Sequence, residues 1–151
     1  MILEPRQRES SAPQLVLGEG SPLFLAFQCP THLNRAARVH GRWTRQIGPS
    51  RHSFDSRAWA HAQSMGDTHF QRFVDWSLTR SNVTAVLFGR ERFGDPWVDY
   101  QIEESLERNN RILAIDVTPD PAFGGPSLLP LNQRNPFAAF DLQDAVPVYH
   151  W

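Results

Sequence analysis

Few side chains in this sequence stand at separations that support chemistry. The six histidines, His32, His40, His52, His61, His69 and His150, are scattered, and none lies at a compact metal-binding spacing from another His or from Cys29. Zinc sites need such clustering, so surface or capping roles are expected and no metal centre. Cys29 falls at the carboxyl end of an expected strand, where a nucleophile could be presented. No base stands beside it, and a small buried hydrophobe is the expected role. As the single cysteine it excludes an internal disulfide and points to a reducing compartment. All 15 basic residues are Arg and none is Lys. That removes Schiff-base catalysis and the nucleoside-triphosphate P-loop, which need an amine. It also removes the phosphoacceptor receiver domain, an α/β architecture that normally sets a Lys beside its aspartates. The loop Gln28-Cys29-Pro30-Thr31-His32 lacks that domain's paired acids, and equally the Ser/Thr/Gly density of a flavin phosphate loop.

The acidic residues exclude more than they promise. A net charge of −1 with no one-signed basic stripe argues against nucleic acid as a partner. Asp99, Glu103 and Glu107 recur at helical spacing and read as a solvated face, with Glu104–Arg108 and Glu107–Arg111 pairs along it. Gly18-Glu19-Gly20 precedes a strand instead of following one, so it reads as a turn and not as a dinucleotide fingerprint. Trp59 and Trp97 read first as core anchors.

The elements that must position these residues alternate along the chain. Residues 1–20 are polar and proline-flanked, a tail leading into one domain over 21–151. No signal pattern and no apolar run of membrane-spanning length is present, so a cytoplasmic protein is expected, with no membrane partner. Leu23–Phe27, Val83–Gly89 and Ile112–Val117 are short apolar runs of the kind buried on both faces in parallel sheets. Helices are expected from a Thr31 cap to about Trp43, in a segment capped by Asp55, and after Gly66-Asp67, where Phe70, Phe73, Val74 and Leu78 share a side. Asp95-Pro96 starts another helix, on which Val98, Ile102 and Leu106 form the apolar face and Gln101 lies on the flank of Trp97. Residues 46–54 and 118–136 are expected to be irregular, and 146–151 to add a last strand with Pro147 at an edge or near its start. The pattern predicts an open parallel α/β sheet with helices on both faces, binding its ligand outside the carboxyl ends of the strands. Phe27–Pro30, Gly89–Trp97 and Asp116–Gly125 are the segments that would line such a site.

Several ordered motifs sharpen this picture. The segments SFDSRAWAHAQSMGD from Ser53, SNVTAVLFG from Ser81, WVDYQIEESLERNNRILAI from Trp97, the later NPF and the ending PVYHW resemble the TIR-like domains of bacterial Thoeris anti-phage defence proteins. The strand LFLAF stands where that family has a Phe-Ile-Ser-Tyr-like strand. The resemblance extends over nearly everything from residue 22 onward.

It implies a flavodoxin-like domain that takes NAD as substrate, without a bound cofactor. Such a domain cleaves the nicotinamide–ribose bond and makes a cyclic or otherwise modified ADP-ribose signal that activates a separate effector protein. Assembly into a homo-oligomer or with a trigger is also implied, and the 118–136 and Arg90–Pro96 regions are candidates for completing a neighbour's site. Cleaving that bond builds positive charge on the ribose, which a carboxylate stabilises. TIR-type enzymes carry this Glu four residues after the Trp of W-x-x-x-E, and here that position is Gln101. An amide keeps the shape and the hydrogen bonding but not the charge, so turnover is expected to fall while binding survives. Gln101 is then either an engineered Glu→Gln trap, favoured by the intact motif around it, or the mark of a non-catalytic nucleotide-binding or adaptor domain acting through self-association. The same resemblance makes Phe27, Asp55 and Trp97 candidate substrate-binding residues. An ordinary core Phe and a helix N-cap explain the first two equally well.

Overall fold

The computed structural model describes residues 23–29, 31–47, 54–118 and 127–151; the tail over 1–20 lies outside them. Four strands, β1 (Leu23–Ala26), β2 (Val83–Phe88), β3 (Arg111–Asp116) and β4 (Val148–His150), form one sheet in the order β1-β2-β3-β4. Every neighbouring pair is parallel. All residues of β1 and β2 are buried without alternation, so both faces of the central sheet are covered, as their unbroken apolar runs predict. The fold is the α/β arrangement expected. β4 ends the sheet, and Pro147 stands just before it, where its missing N–H costs no ladder bond.

The helices are α1 (Leu33–Ile47), α2 (Ser56–Ser64), α3 (Asp67–Thr79), α4 (Pro96–Glu107) and the single turn α5 (Leu131–Arg134). Asp55 caps α2, accepting from the Arg57 and Ala58 N–H groups at 2.9 and 3.4 Å. Asp95 caps α4 through the Val98 N–H at 2.9 Å, with Pro96 pre-setting the first turn. On α3, Phe70, Val74 and Leu78 are buried as their spacing requires. No helix among the described residues is long and apolar enough to cross a membrane.

Four expectations are corrected. α1 begins at Leu33, because the His32 carbonyl, not that of Thr31, accepts its first bond, from the Ala36 N–H. It continues to Ile47, since Thr44-Arg45-Gln46 contains nothing that breaks a helix before Gly48-Pro49. On α4 the buried stripe is Val98-Gln101-Ile102-Ser105, and Leu106 is 37% exposed. At 3.6 residues per turn Leu106 lies about a quarter turn from the centre of that stripe, so a polar residue takes the core position. The stretch 118–136 is not wholly irregular, because α5 lies within it and a 3-10 turn over Pro136–Phe140 follows. Asn135 caps that turn through the Phe137 N–H at 2.9 Å, which accounts for the Asn-Pro-Phe motif.

Candidate functional site

In open α/β sheets ligands bind beyond the carboxyl ends of the strands, usually where strand order reverses. The order here does not reverse among the described strands, so side-chain chemistry selects the place. The richest cluster lies between the ends of β1 and β2. His32 follows β1, Arg35 is on the first turn of α1, and Glu91 is in the loop between β2 and α4. Glu91 Oε1 stands 3.0 Å from His32 Nε2 and 3.4 Å from Arg35 Nη1, and Arg35 Nη1 is 3.0 Å from the same His32 nitrogen. Gly89 makes this approach possible: a Cβ there would collide with the Arg35 guanidinium and stand 3.0 Å from Glu91 Oε1. Burial, reinforced by Arg35, holds the His32 pKa below its ordinary value despite Glu91 and Asp95, which favours a neutral ring. Burial opposes the charge on Glu91, but His32 in its protonated form, the backbone bond and the Arg35 guanidinium outweigh it and keep the carboxyl below its usual range.

Arg134 fastens the rest of the rim. From α5 its guanidinium donates to the Gly89 carbonyl at 3.0 Å and forks onto Asp116, with Nη1 to Oδ1 at 3.1 Å and Nη2 to Oδ2 at 3.3 Å. Its Nε donates to the Leu129 carbonyl at 3.1 Å. The Thr118 N–H and hydroxyl also reach Asp116 Oδ1, and His150 Nδ1 is 3.4 Å from Oδ2. Burial would raise the Asp116 pKa, but the bonds from His150, Arg134 and Thr118 pull it down to about 2. The β2–α4 loop is tied to the same segment, since Phe93 N–H donates to the Gln133 carbonyl and the Ser127 hydroxyl to that of Arg90.

The residues that the sequence singles out occupy different surroundings. Gln101 is fully buried, and its Oε1 accepts from the Phe27 N–H at 3.1 Å, just where β1 leaves the ladder. Its Nε2 has no protein partner among the described residues. Phe27 is fully buried too, its ring 4.6 Å from Trp59 and 5.8 Å from Phe54, so it presents no face to a ligand in this structure. Trp97 packs edge-on to Phe70 at 4.8 Å and to Tyr100 at 5.6 Å. Asp55 lies at the rim of a cavity of about 290 Å³ walled by Phe24, Phe54, Trp59, Phe73 and Trp76. Burial and the nearby Asp95 push the Cys29 thiol up to about 11, so it is protonated and a poor nucleophile at neutral pH. Among the described residues no group of three or more His, Cys, Asp or Glu could hold a metal ion.

Of the two cavities described, the larger is the less suited to chemistry. It flanks β1 and the C-terminal end of α3, is mostly apolar, and lies away from the strand ends. The strand-end depression lined by His32, Gly89, Glu91, Asp95 and Arg134 holds only about 30 Å³, yet it gathers the ionised and acid–base groups. That volume is far below the roughly 300–1,000 Å³ of an open small-molecule site. Gly94, at φ +125°, occupies backbone space in the β2–α4 loop that other residues avoid.

A family model described as "Thoeris protein ThsB, TIR-like domain" matches residues 24–121. The chain belongs to this family. The match runs from β1 through β3 and contains Gln101, His32 and Glu91, whereas Arg134 and His150 lie beyond it. The chain is also similar to a Bacillus cereus (strain MSX-D12) protein named "Putative cyclic ADP-D-ribose synthase ThsB1", with 31% identity over 80 residues. That stretch is 52% of this chain and 42% of the relative, so the chain spans well under two thirds of the relative's length. The sequence of this TIR-like domain marks Gly89–Trp97, which contains Glu91, as a segment lining the site, but singles out neither Glu91 itself nor His32 nor Arg134. Glu91 and Arg134 meet partners 56 and 18 positions away, and no local spacing announces such contacts.

Proposed function

We propose that this TIR-like domain acts on NAD, breaking the nicotinamide–ribose bond and passing the ADP-ribosyl group into a cyclic or otherwise modified nucleotide. That product would activate an effector protein of the same anti-phage system. The observation that carries the reading is the similarity to a relative named "Putative cyclic ADP-D-ribose synthase ThsB1", in a chain whose family match contains His32, Glu91 and Gln101. As the C1′–N bond breaks, its electron pair goes to the nicotinamide nitrogen and the ribose becomes cationic. Water or a second nucleophile of the ADP-ribosyl group then captures C1′. Which of the two wins depends on how well the site excludes water.

Gln101 sets the rate in this reading. It stands four residues after Trp97, where TIR-type enzymes carry their Glu, and a neutral amide cannot stabilise the cation as a carboxylate does. Chromatography of NAD and nucleotide products, with the chain and with Gln101→Glu across a range of protein concentrations, tests it. The expected result is slow NAD loss by the chain and faster loss by the Glu form. If neither form consumes NAD, alone or in cells under phage challenge, the reading is sunk. Binding without turnover in both forms would instead mark a nucleotide-binding or adaptor domain acting through self-association.

A further inference from the structure

We propose that Glu91 is the carboxylate this chain brings to the ribose, supplying from the β2–α4 loop the charge that Gln101 does not supply from the core of α4. The inference rests on the NAD reading above. Gln101 is fully buried with Oε1 engaged by the Phe27 N–H, and its amide carries no charge. Among the carboxylates of the strand-end cleft, Asp116 is 3% exposed and held by Arg134, Thr118 and His150. Asp95 is occupied in capping α4. Glu91 alone of the three is both fixed and open. Its Oε1 is held by His32 and Arg35, while 41% of its side chain remains exposed.

The surroundings are those of a positioned group and not of a casual surface pair. His32 is 4% exposed, so its ring orients the carboxylate from a rigid place, and Gly89 leaves the space in which all three side chains meet. Glu91 Oε1 lies 3.0 Å from His32 Nε2 and 3.4 Å from Arg35 Nη1, so the carboxylate is held from two sides of the cleft wall. The step balances without a further reactant. The C1′–N bond breaks with its electron pair leaving on neutral nicotinamide, and the ionised Glu91 faces the cationic ribose without taking a proton. A C1′ bond then forms to water, which releases a proton to solvent, or to a nucleophile within the ADP-ribosyl group.

NAD turnover by the purified full chain, with Gln101 in place, tests this through Glu91→Gln and Glu91→Asp, with thermal melts to verify folding. Removing one charge-stabilising group costs about 10²–10³-fold in kcat, so Glu91→Gln is expected to lose that much with KM little changed, and Glu91→Asp to recover part of it. Unchanged turnover in Glu91→Gln overturns the inference and leaves the NAD reading intact. So does an inactive unmodified chain whose Gln101→Glu form is active. If both of those forms are inactive, the inference and the reading fall together.

Discussion

Replacing Gln101 by Glu puts a carboxyl into a core position, and the cost can be worked from its surroundings. The side chain is fully buried, with the Phe27 N–H as its one protein hydrogen-bond partner among the described residues. Full burial raises a Glu pKa by about 3–5 units from about 4.3, and the bond from Phe27 offsets part of this, giving a folded pKa of about 7. An acid whose folded pKa is raised is favoured in its neutral form. Stability is therefore lost as pH rises from the unfolded pKa to the folded one, and levels off above it. The ionisation penalty is about 1 kcal/mol at pH 5 and about 4 kcal/mol at pH 8, at about 1.4 kcal/mol per unit. For a chain of this size the difference of about 3 kcal/mol lowers Tm by about 6–12 °C more at pH 8 than at pH 5, relative to the parent. Differential scanning calorimetry of both forms across this range measures it, with any gain from removing the stranded Nε2 cancelling between pH values. The same titration should appear in NAD turnover by the Glu form, rising with an apparent pKa of about 7. A Tm deficit equal at pH 5 and pH 8 would refute the reasoning, because the carboxyl would then be solvated and position 101 would not be closed off from water.

Arg134→Met leaves the Asp116 carboxylate buried without its guanidinium fork, and breaking such a pair costs about 3–5 kcal/mol, a Tm loss of about 10 °C. The Asp116 pKa of about 2 lies below its ordinary 3.8, so this stability is present above about pH 4 and lost as pH falls towards 2. Melts of the variant should show a flatter loss over that window, and equal slopes would remove Arg134 as the cause. Asp55→Ala removes the α2 cap and should cost about 1 kcal/mol, seen as a fall in Tm with KM for NAD unchanged. A tenfold or larger rise in KM would make Asp55 a substrate ligand as well.

What the sequence disclosed followed from short-range rules. Val83–Phe88 and Leu23–Ala26 were legible as strands because runs buried on both faces carry no alternation to misread, and Asp95-Pro96 marks a helix start by its own chemistry. The Leu106 expectation failed because apolar periodicity assumes that a core face is filled with apolar residues. On α4 the places are taken by Gln101 and Ser105, each with a hydrogen-bond partner that periodicity cannot foresee. Ser105 bonds Thr84 on β2 at 2.8 Å and Gln101 reaches the end of β1, so the polar half of the stripe stitches α4 to the sheet. The Arg134–Asp116 fork was equally hidden, because it joins a single helical turn to the end of a strand and leaves no pattern in either.

Burial also separates the two places from which a carboxylate could serve the reaction. At position 101 it would gain strength from exclusion of water, but it would be neutral below about pH 7 and would reach a ribose only when the packing of Phe27, Phe54 and Trp59 opens. At position 91 it is ionised at neutral pH and already faces the cleft, but solvent screens it and Arg35 shares its charge. On the proposed reading the first arrangement would tie turnover to an opening of the core, and the second to movement of the β2–α4 loop, which Arg134, Ser127 and Gln133 hold from the far side. An amide at 101 lets the core stay shut at no charge penalty, since its oxygen still takes the Phe27 N–H. On that same reading, an amide at 101 shifts the demand for charge outward, onto a loop whose Glu91 carboxylate is held by His32 and Arg35 beside Gly89.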